Sequence, residues 1–259
     1  MFDSIGFIGA GRIAHIMLGG WQRSGTPLPL VYACDQSADA VGSLQRAFPA
    51  VRPATLEEAS RAKLVFGALH PPAMGTALPG IAPHLAADAV FCSLAPVIRL
   101  PALQEKLGGF SRLVRMNPNA PSIVGSGFNP VSFGDGLPQD ARMTLLALMK
   151  PLGACPEVDD ALIETYAAIS AMGPTYFWFQ FDELHRLAQS FGLGRDAADV
   201  AVAAMLRGAV DTMFSGGLDA ENVMDLVPVR PMANDETAIL GMMRTSINAI
   251  HARLHPQQC

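Results

Sequence analysis

Two glycines near the start of the chain have the spacing of a dinucleotide-binding loop. Gly9, Gly11 and Ala14 form a G-x-G-x-x-A pattern between an apolar stretch and a helical one. In such loops the first glycine makes the turn, the second lets the backbone approach a pyrophosphate, and the small third residue keeps the helix close to the strand. A plain strand-to-helix turn is the alternative. The flanking pattern, with Asp35 ending the next predicted strand, favours a nucleotide.

Asp35 bears on which nucleotide binds. A carboxylate at this position accepts hydrogen bonds from a ribose 2′-hydroxyl and repels a 2′-phosphate, so Asp35 alone favours NAD. Arg12 in the loop could still contact a phosphate, and the cofactor prediction therefore stays NADP or NAD. The residues predicted to bind it in this part of the chain are Gly9, Ala10, Gly11, Arg12, Ile13, Asp35 and Gln36.

The first part of the chain alternates short apolar runs with helical stretches. Strands are predicted at "SIGFIGA", "PLVYACD", "AKLVFGAL", "DAVFCSLA" and "FSRLVRM", with a last short strand around "GACPEV". Alternating strands and helices predict parallel βαβ units with helices on both faces of one sheet. We expect an α/β fold, with an N-terminal Rossmann-type dinucleotide-binding domain over residues 1–156.

Residues 157–259 have a different character and predict an all-helical domain. Phe177, Phe181, Leu184 and Phe191 recur at helical spacing, and a second helix is expected over residues 195–217. Both segments are apolar around most of their circumference, which is typical of helices buried on several sides. We therefore expect a homodimerisation domain, with association into a higher oligomer left open. A larger monomeric core is the alternative.

Composition excludes several classes of protein. A net charge of −5 and a pI near 5.6 disfavour nucleic acid as a partner. No apolar run reaches the roughly 18–20 residues of a membrane-spanning helix. Met1 leads directly into a predicted strand, so no export signal is expected, and the four cysteines lack C-x-x-C spacing. These features predict a cytoplasmic protein with neither a disulfide framework nor a bound metal.

Three stretches together resemble the pyrroline-5-carboxylate reductase family. They are "IGFIGAGRIA", "LVRMNPNAPSIVGSG" and "AISAMGPTYFWFQFDELHRLAQSFGLGRDAA", in the order and approximate spacing of the family. The resemblance implies a nucleotide domain followed by a helical dimerisation domain. It also implies NAD(P)H-dependent reduction of a C=N bond, converting 1-pyrroline-5-carboxylate, an imino acid, to L-proline.

The resemblance also assigns residues by position. His70 stands where the family usually has lysine, and Met172 adds bulk where the family has a small residue. The further cofactor contacts it implies are Ala68, Leu69, His70, Pro71, Leu94 and Ala95. The substrate contacts it implies are Asn117, Pro118, Asn119, Ser170, Met172, Gly173 and Pro174.

The stretch "VPVRPMANDETAIL" departs from the family, whose glycine-rich loop holds the substrate carboxylate. An anionic group in a partly dry site needs donors, and Arg230, Asn234 and Thr237 offer them here. The alternative is that this stretch only begins a helix, with Asn234 or Asp235 as its cap.

Few side chains are needed for imine reduction, because a protonated C=N bond is already electrophilic. If a proton donor is used, the catalytic candidates are His70, Tyr176 and Thr237. His70 could equally only contact the nicotinamide, and Tyr176 could be a packing aromatic. Two other functions stay open: the same hydride chemistry on a different imine or carbonyl compound, and a nucleotide-binding sensor module without turnover.

Overall fold

The computed structural model describes residues 2–255 and contains a large, mainly parallel sheet. The strands are β1 (Ser4–Ile8), β2 (Leu30–Cys34), β3 (Val51–Pro53), β4 (Leu64–Gly67), β5 (Val90–Ser93), β6 (Leu113–Met116), β7 (Gly127–Phe128), β8 (Val131–Phe133) and β9 (Gly153–Ala154). The α-helices are α1 (Arg12–Arg23), α2 (Ala38–Ala47), α3 (Leu56–Ser60), α4 (Pro71–Ile81), α5 (Leu100–Lys106), α6 (Gln139–Met149), α7 (Ile163–Tyr166), α8 (Pro174–Ser190), α9 (Arg195–Ser215), α10 (Ala220–Asp225) and α11 (Glu236–Leu254).

The sheet has the strand order β3-β2-β1-β4-β5-β6-β8. Strands β1 to β6 are parallel, and β8 pairs antiparallel with β6. The direction in which strands are added reverses between β1 and β4, and ligands of such sheets bind at the carboxyl ends of the strands at this point. The predicted Rossmann-type α/β fold is confirmed. Strands β3 and β8, which have three residues each, were not predicted from the sequence.

Alternate residues of the strands pack against helices on opposite faces of the sheet. Phe66 belongs to a core that includes Trp21 of α1 and Met149 of α6, whereas its neighbour Val65 belongs to a core that includes Met74 of α4. All of these side chains are fully buried. Because both faces of the sheet are buried, the strand sequences are continuously apolar instead of alternating between apolar and polar residues.

The described residues divide into two compact units. The first contains the residues up to Met172 together with those from Ala249 onward, and the second is Gly173–Asn248. The boundary expected after residue 156 stays a prediction. The sheet lies in the first unit. The second consists of α8, α9, α10 and most of α11, so a helical C-terminal region is confirmed.

Helices α8 and α9 are separated by a glycine turn. Gly192 has φ +102°, a conformation that side chains disfavour, and its N–H donates to the carbonyl of Gln189. Along α8 the rings of Phe177 and Phe181 stack with centroids 6.2 Å apart. The helical spacing that predicted α8 therefore places these two aromatic side chains next to each other on the helix.

Candidate functional site

The turn after β1 can be made only by glycine. Gly9 has φ +109°, and a Cβ atom there would lie 2.4 Å from the carbonyl oxygen of Ala68. Its N–H donates to the Cys34 carbonyl at 2.8 Å. The turn thus brings the ends of β1, β2 and β4 together at one edge of the sheet, where the predicted cofactor residues begin.

Gly11 occupies the N-cap position of α1 and faces open space. Its φ is −81°, and a Cβ atom there would meet no atom within 4 Å. No side chain caps the helix, so the first N–H groups of α1 stay available for a ligand. Unpaired helix N–H groups and the positive end of the helix dipole form an anion site, which fits a pyrophosphate.

Asp35 joins the glycine loop to the turn after β2. Its Oδ2 accepts the N–H of Ala10 and its Oδ1 accepts the N–H of Ser37, both at 2.9 Å. Each carboxylate oxygen keeps lone pairs for another donor. The half-buried carboxylate is therefore held in place and can still accept ribose hydroxyls. Of the other predicted contacts in this region, Arg12 and Gln36 are exposed and Ile13 is half-buried.

The loops after β4 and β5 lie beside the glycine loop in the sheet order. The N–H of Ala68 donates to the Ile8 carbonyl at 2.7 Å, and the N–H of Leu94 donates to the Gly67 carbonyl at 2.9 Å. His70 is exposed at the N-cap position of α4, whose first residue is Pro71. Leu69 is half-buried and Ala95 buried. The loops that carry the predicted cofactor contacts thus follow neighbouring strands.

The two predicted asparagines of the central turn are buried and hydrogen-bonded within the first unit. The Asn117 amide donates to the Ile163 carbonyl at 2.7 Å, and the Asn119 amide donates to the Ser170 carbonyl at 3.1 Å. They are 4% and 6% exposed. Pro118 between them is also buried. Both side chains therefore position the segment that contains Ser170, and direct contact with a substrate stays a prediction.

The segment around Ser170 has an unusual backbone. Residues Ala167–Ala171 form a π-helical turn, a feature often found at functional sites. The Ser170 hydroxyl donates to the Tyr166 carbonyl at 2.8 Å, and Met172 is half-buried.

The other predicted substrate and proton-donor residues lie in the second unit. Gly173 is buried, and Pro174 begins α8. Burial raises the pKa of the Tyr176 phenol. Arg230 is exposed and forms an ion pair with Glu236 in the first turn of α11. Asn234 and Thr237 are also exposed.

A buried ionic cluster, not predicted from the sequence, surrounds an arginine of the sheet. Arg115 in β6 has no exposed surface; its Nη1 donates to Asp160 Oδ1 at 2.5 Å, and its Nη2 donates to Glu164 Oε1. An arginine inside the apolar run "LVRM" is the signal that could have indicated it, because a buried charge needs an opposite charge nearby.

Residues 2–255 contain no group of three or more metal-ligand side chains and no membrane-spanning helix. His251 and His255 lie four residues apart, which is the spacing of two metal ligands on one face of a helix. The prediction of no bound metal did not take this pair into account. Their ring centroids are 4.1 Å apart. No group of three or more His, Cys, Asp or Glu side chains in this range could hold a metal ion. None of its helices combines the length and apolarity needed to cross a bilayer.

Known proteins resemble the chain at the level of sequence and fold. A family model described as NADP oxidoreductase coenzyme F420-dependent matches residues 4–96. The chain is 26% identical to the pyrroline-5-carboxylate reductase of Pseudomonas aeruginosa over 254 residues, covering 95% of this chain and 90% of that one. It is 25% identical to the Escherichia coli pyrroline-5-carboxylate reductase over 229 residues, covering 88% and 85%.

Solved structures share the fold over nearly the whole length. The Plasmodium falciparum pyrroline carboxylate reductase with NADP bound superposes with a TM-score of 0.78 at 18% identity, covering 97% of each chain. The Streptococcus pyogenes 1-pyrroline-5-carboxylate reductase gives 0.71 at 16% identity, again covering 97% of each.

The Rossmann sheet, the open glycine loop and these similarities define an NAD(P)-dependent oxidoreductase. More specifically, the chain resembles the pyrroline-5-carboxylate reductases in sequence over most of its length and shares their fold.

Proposed function

We propose that this protein reduces the C=N bond of 1-pyrroline-5-carboxylate with NADH or NADPH, giving L-proline. The observation that carries the proposal is an open dinucleotide cradle at Gly11 in a chain that resembles reductases of this name along almost its whole length. Full-length similarity matters because the nucleotide loop alone occurs in many oxidoreductases.

The reduced nicotinamide supplies the hydride when it is bound. The residues of this chain bind and orient the reactants: the N–H groups at the start of α1 hold the pyrophosphate, and Asp35 accepts the ribose hydroxyls. The loops that contain His70 and Ala95 follow the neighbouring strands β4 and β5 and would contact the nicotinamide. Holding the imine against it, away from water, supplies most of the catalysis.

Proton delivery is assigned to Tyr176, His70 or Thr237. The Tyr176 phenol carries a proton at neutral pH, as any phenol with a pKa of about 10 or above does. A Tyr176→Phe variant removes only the hydroxyl, so a large loss of kcat with an unchanged KM for the nucleotide would assign the proton to this residue. His70→Gln and Thr237→Val, tested in the same way, separate the other two.

The direct test is turnover by the purified chain. We expect NADH or NADPH oxidation to depend on 1-pyrroline-5-carboxylate, with L-proline formed in equal amount. A panel of other cyclic imines and 2-oxo acids tests the same hydride chemistry on another substrate. The Arg230–Glu236 ion pair favours this alternative, because Arg230 is then not available to bind a substrate carboxylate. Faster turnover of a panel compound would overturn the assignment of substrate. Nucleotide binding without any turnover would favour a sensor.

The protein is further proposed to be a homodimer formed by α8 and α9. In residues 173–248, all of which the structure describes, only Gly173 and Ala198 are buried. Large apolar side chains are correspondingly exposed, among them Phe191 at 80% and Phe214 at 82%. An isolated chain would leave an apolar surface larger than soluble monomers usually expose, so a second copy is the occupant we propose.

We also propose a cytoplasmic location and a small-molecule substrate as the partner. The net charge of −5 disfavours nucleic acid. Cys34, Cys92 and Cys155 are all free thiols, which suits a reducing compartment.

A further inference from the structure

The acids that pair with Arg115 also bind the loop after β5. Glu164 Oε1, which accepts from Arg115 Nη2, accepts the N–H of Val97 as well, at 2.8 Å. Asp160 Oδ2 accepts the N–H of Leu100 at 3.2 Å. The loop is therefore attached at two points to one buried ionic cluster.

Val97 has a backbone conformation that valine disfavours. Its φ is +83°, and no other non-glycine residue among 2–255 has a positive φ. A β-branched side chain is a genuine outlier in this region of backbone space. Such a conformation persists only where the surrounding structure imposes it, and outliers of this kind cluster at ligand sites. At this position the Val97 N–H donates to the Glu164 carboxylate.

The loop that contains Val97 lies at the cofactor edge of the sheet. Leu94, three residues earlier, is hydrogen-bonded through its N–H to Gly67 at the end of β4. Leu94 and Ala95 are predicted cofactor contacts. A change in the backbone at Val97 would therefore move residues that face the nucleotide.

Stability alone does not account for the ionic cluster. Replacing a buried ion pair with apolar residues is often neutral or stabilising, whereas removing one partner leaves an uncompensated buried charge. Glu164 is 2% exposed, and its Oε2 has no hydrogen-bond partner among the described residues. Its bonds to Arg115 and Val97 are both made through Oε1.

We propose that Glu164 is a positioning residue for cofactor binding. Its carboxylate, oriented by Arg115, holds Val97 in the left-handed conformation and so fixes the loop 94–97 against which NADH or NADPH binds. This inference rests on the nucleotide-binding part of the proposed function and is independent of which imine is reduced.

The test is a double-mutant cycle read out as nucleotide affinity. Glu164→Gln keeps the shape of the side chain but removes its charge, and charge-assisted hydrogen bonds are about twice as strong as neutral ones. Val97→Gly lets residue 97 adopt a positive φ without strain. The dissociation constants of NADH and NADPH are measured without imine by calorimetry. The matched control is Glu157→Gln, which removes an exposed acid paired with Arg142.

We expect Glu164→Gln to weaken nucleotide binding by about fivefold or more, and Val97→Gly in the same chain to restore most of it, as coupled residues do. Glu157→Gln should bind like the wild type. A purely structural role would reduce the folded fraction without changing the dissociation constant of the folded molecules, which a thermal melt separates.

Two results would overturn the proposal. One is a Glu164→Gln protein that binds within twofold of the wild type. The other is a double variant that binds no better than Glu164→Gln. If Glu164→Gln does not fold, a folded double variant that binds nucleotide supports the proposal. A double variant that also fails to fold overturns it, because Glu164 would then serve to neutralise Arg115 rather than to hold Val97. Absence of turnover by the wild type would instead count against the proposed function.

Discussion

The Asp35 carboxylate accepts a hydrogen bond from the backbone N–H of Ala10 at 2.9 Å. This bond joins the acid that ends β2 to the glycine loop that follows β1. One side chain therefore both shapes the loop for the pyrophosphate and presents negative charge where the adenosine ribose of a dinucleotide is bound in this fold.

Cofactor preference should depend on that charge. Asp35→Asn is expected to raise the NADPH-to-NADH ratio of kcat/KM at least about tenfold, because repulsion between unit charges about 4 Å apart costs from about 1 kcal/mol in water to about 4 kcal/mol near a protein surface. The matched control is Asp39→Asn, an exposed acid in the first turn of α2 that changes the net charge equally. An unchanged ratio in Asp35→Asn would mean that this carboxylate does not face the 2′-position.

The two glycines of the loop should respond differently to substitution. Gly11→Val is expected to abolish nucleotide binding in a folded protein, because its Cβ atom meets no protein atom within 4 Å and so fills only ligand space. Gly9→Ala should instead destabilise the fold by at least about 1–2 kcal/mol, since its φ of +109° and the nearby Ala68 carbonyl exclude a side chain.

Nucleotide titration and thermal unfolding of both variants check this contrast. Gly42→Val on α2, whose Cβ atom would come no closer than 3.5 Å to another atom, is the control for adding the same side chain. Undiminished nucleotide affinity in Gly11→Val would contradict the assignment of the loop.

The features that sequence could predict are those whose chemistry is local. Gly9, Gly11 and Asp35 lie on consecutive elements, so their spacing alone indicates a nucleotide loop. The Arg115–Glu164 pair joins residues 49 positions apart, and only the fold determines which acid meets the arginine. The positive φ of Val97 has no sequence signature, because valine is disfavoured there and the Glu164 carboxylate that its N–H contacts lies 67 residues further along the chain.

Dimer formation should depend on the apolar surface of the second unit. Phe214→Glu on α9 is expected to shift the mass measured by light scattering toward 27.4 kDa, the mass of one chain, because burying an unpaired carboxylate is unfavourable. Met143→Glu on α6, which changes a similarly exposed apolar side chain in the first unit, should leave the mass unchanged. A wild-type mass of one chain at micromolar concentration would refute the dimer.

The thiols of Cys34 and Cys155 should react slowly in the native protein. Burial, aided by the neighbouring Asp35 charge, raises the pKa of Cys34 to about 11, and burial raises the pKa of Cys155 to about 12. At pH 8 a pKa of about 11 leaves about 0.1% of a thiol as the reactive thiolate. Cys259 lies outside the described residues, so a Cys259→Ser variant is used to isolate the others.

In the Cys259→Ser variant, the remaining thiols should react with a thiol reagent much more slowly in the native protein than in the denatured protein. Because the folded pKa values lie above the unfolded value of 9.0, these thiols stabilise the fold fully below about pH 9, and the contribution is lost as pH rises through 11 to 12. Rapid modification of Cys34 at pH 8 would show that the end of β2 is open to solvent.

The substrate side gives the last prediction, which concerns Arg230. If Arg230 holds the substrate carboxylate, Arg230→Ala should raise the KM for the imino acid by about tenfold or more, because a charge-assisted hydrogen bond contributes about 1.5–3 kcal/mol. In the structure Arg230 pairs with Glu236 in the first turn of α11. Glu236→Ala should then release the guanidinium and lower the KM for the same substrate. If the pair only anchors the start of the helix, both variants should lose thermal stability equally and leave the KM unchanged. That pattern would refute the Arg230 pocket and favour the interpretation of residues 230–237 as a helix start.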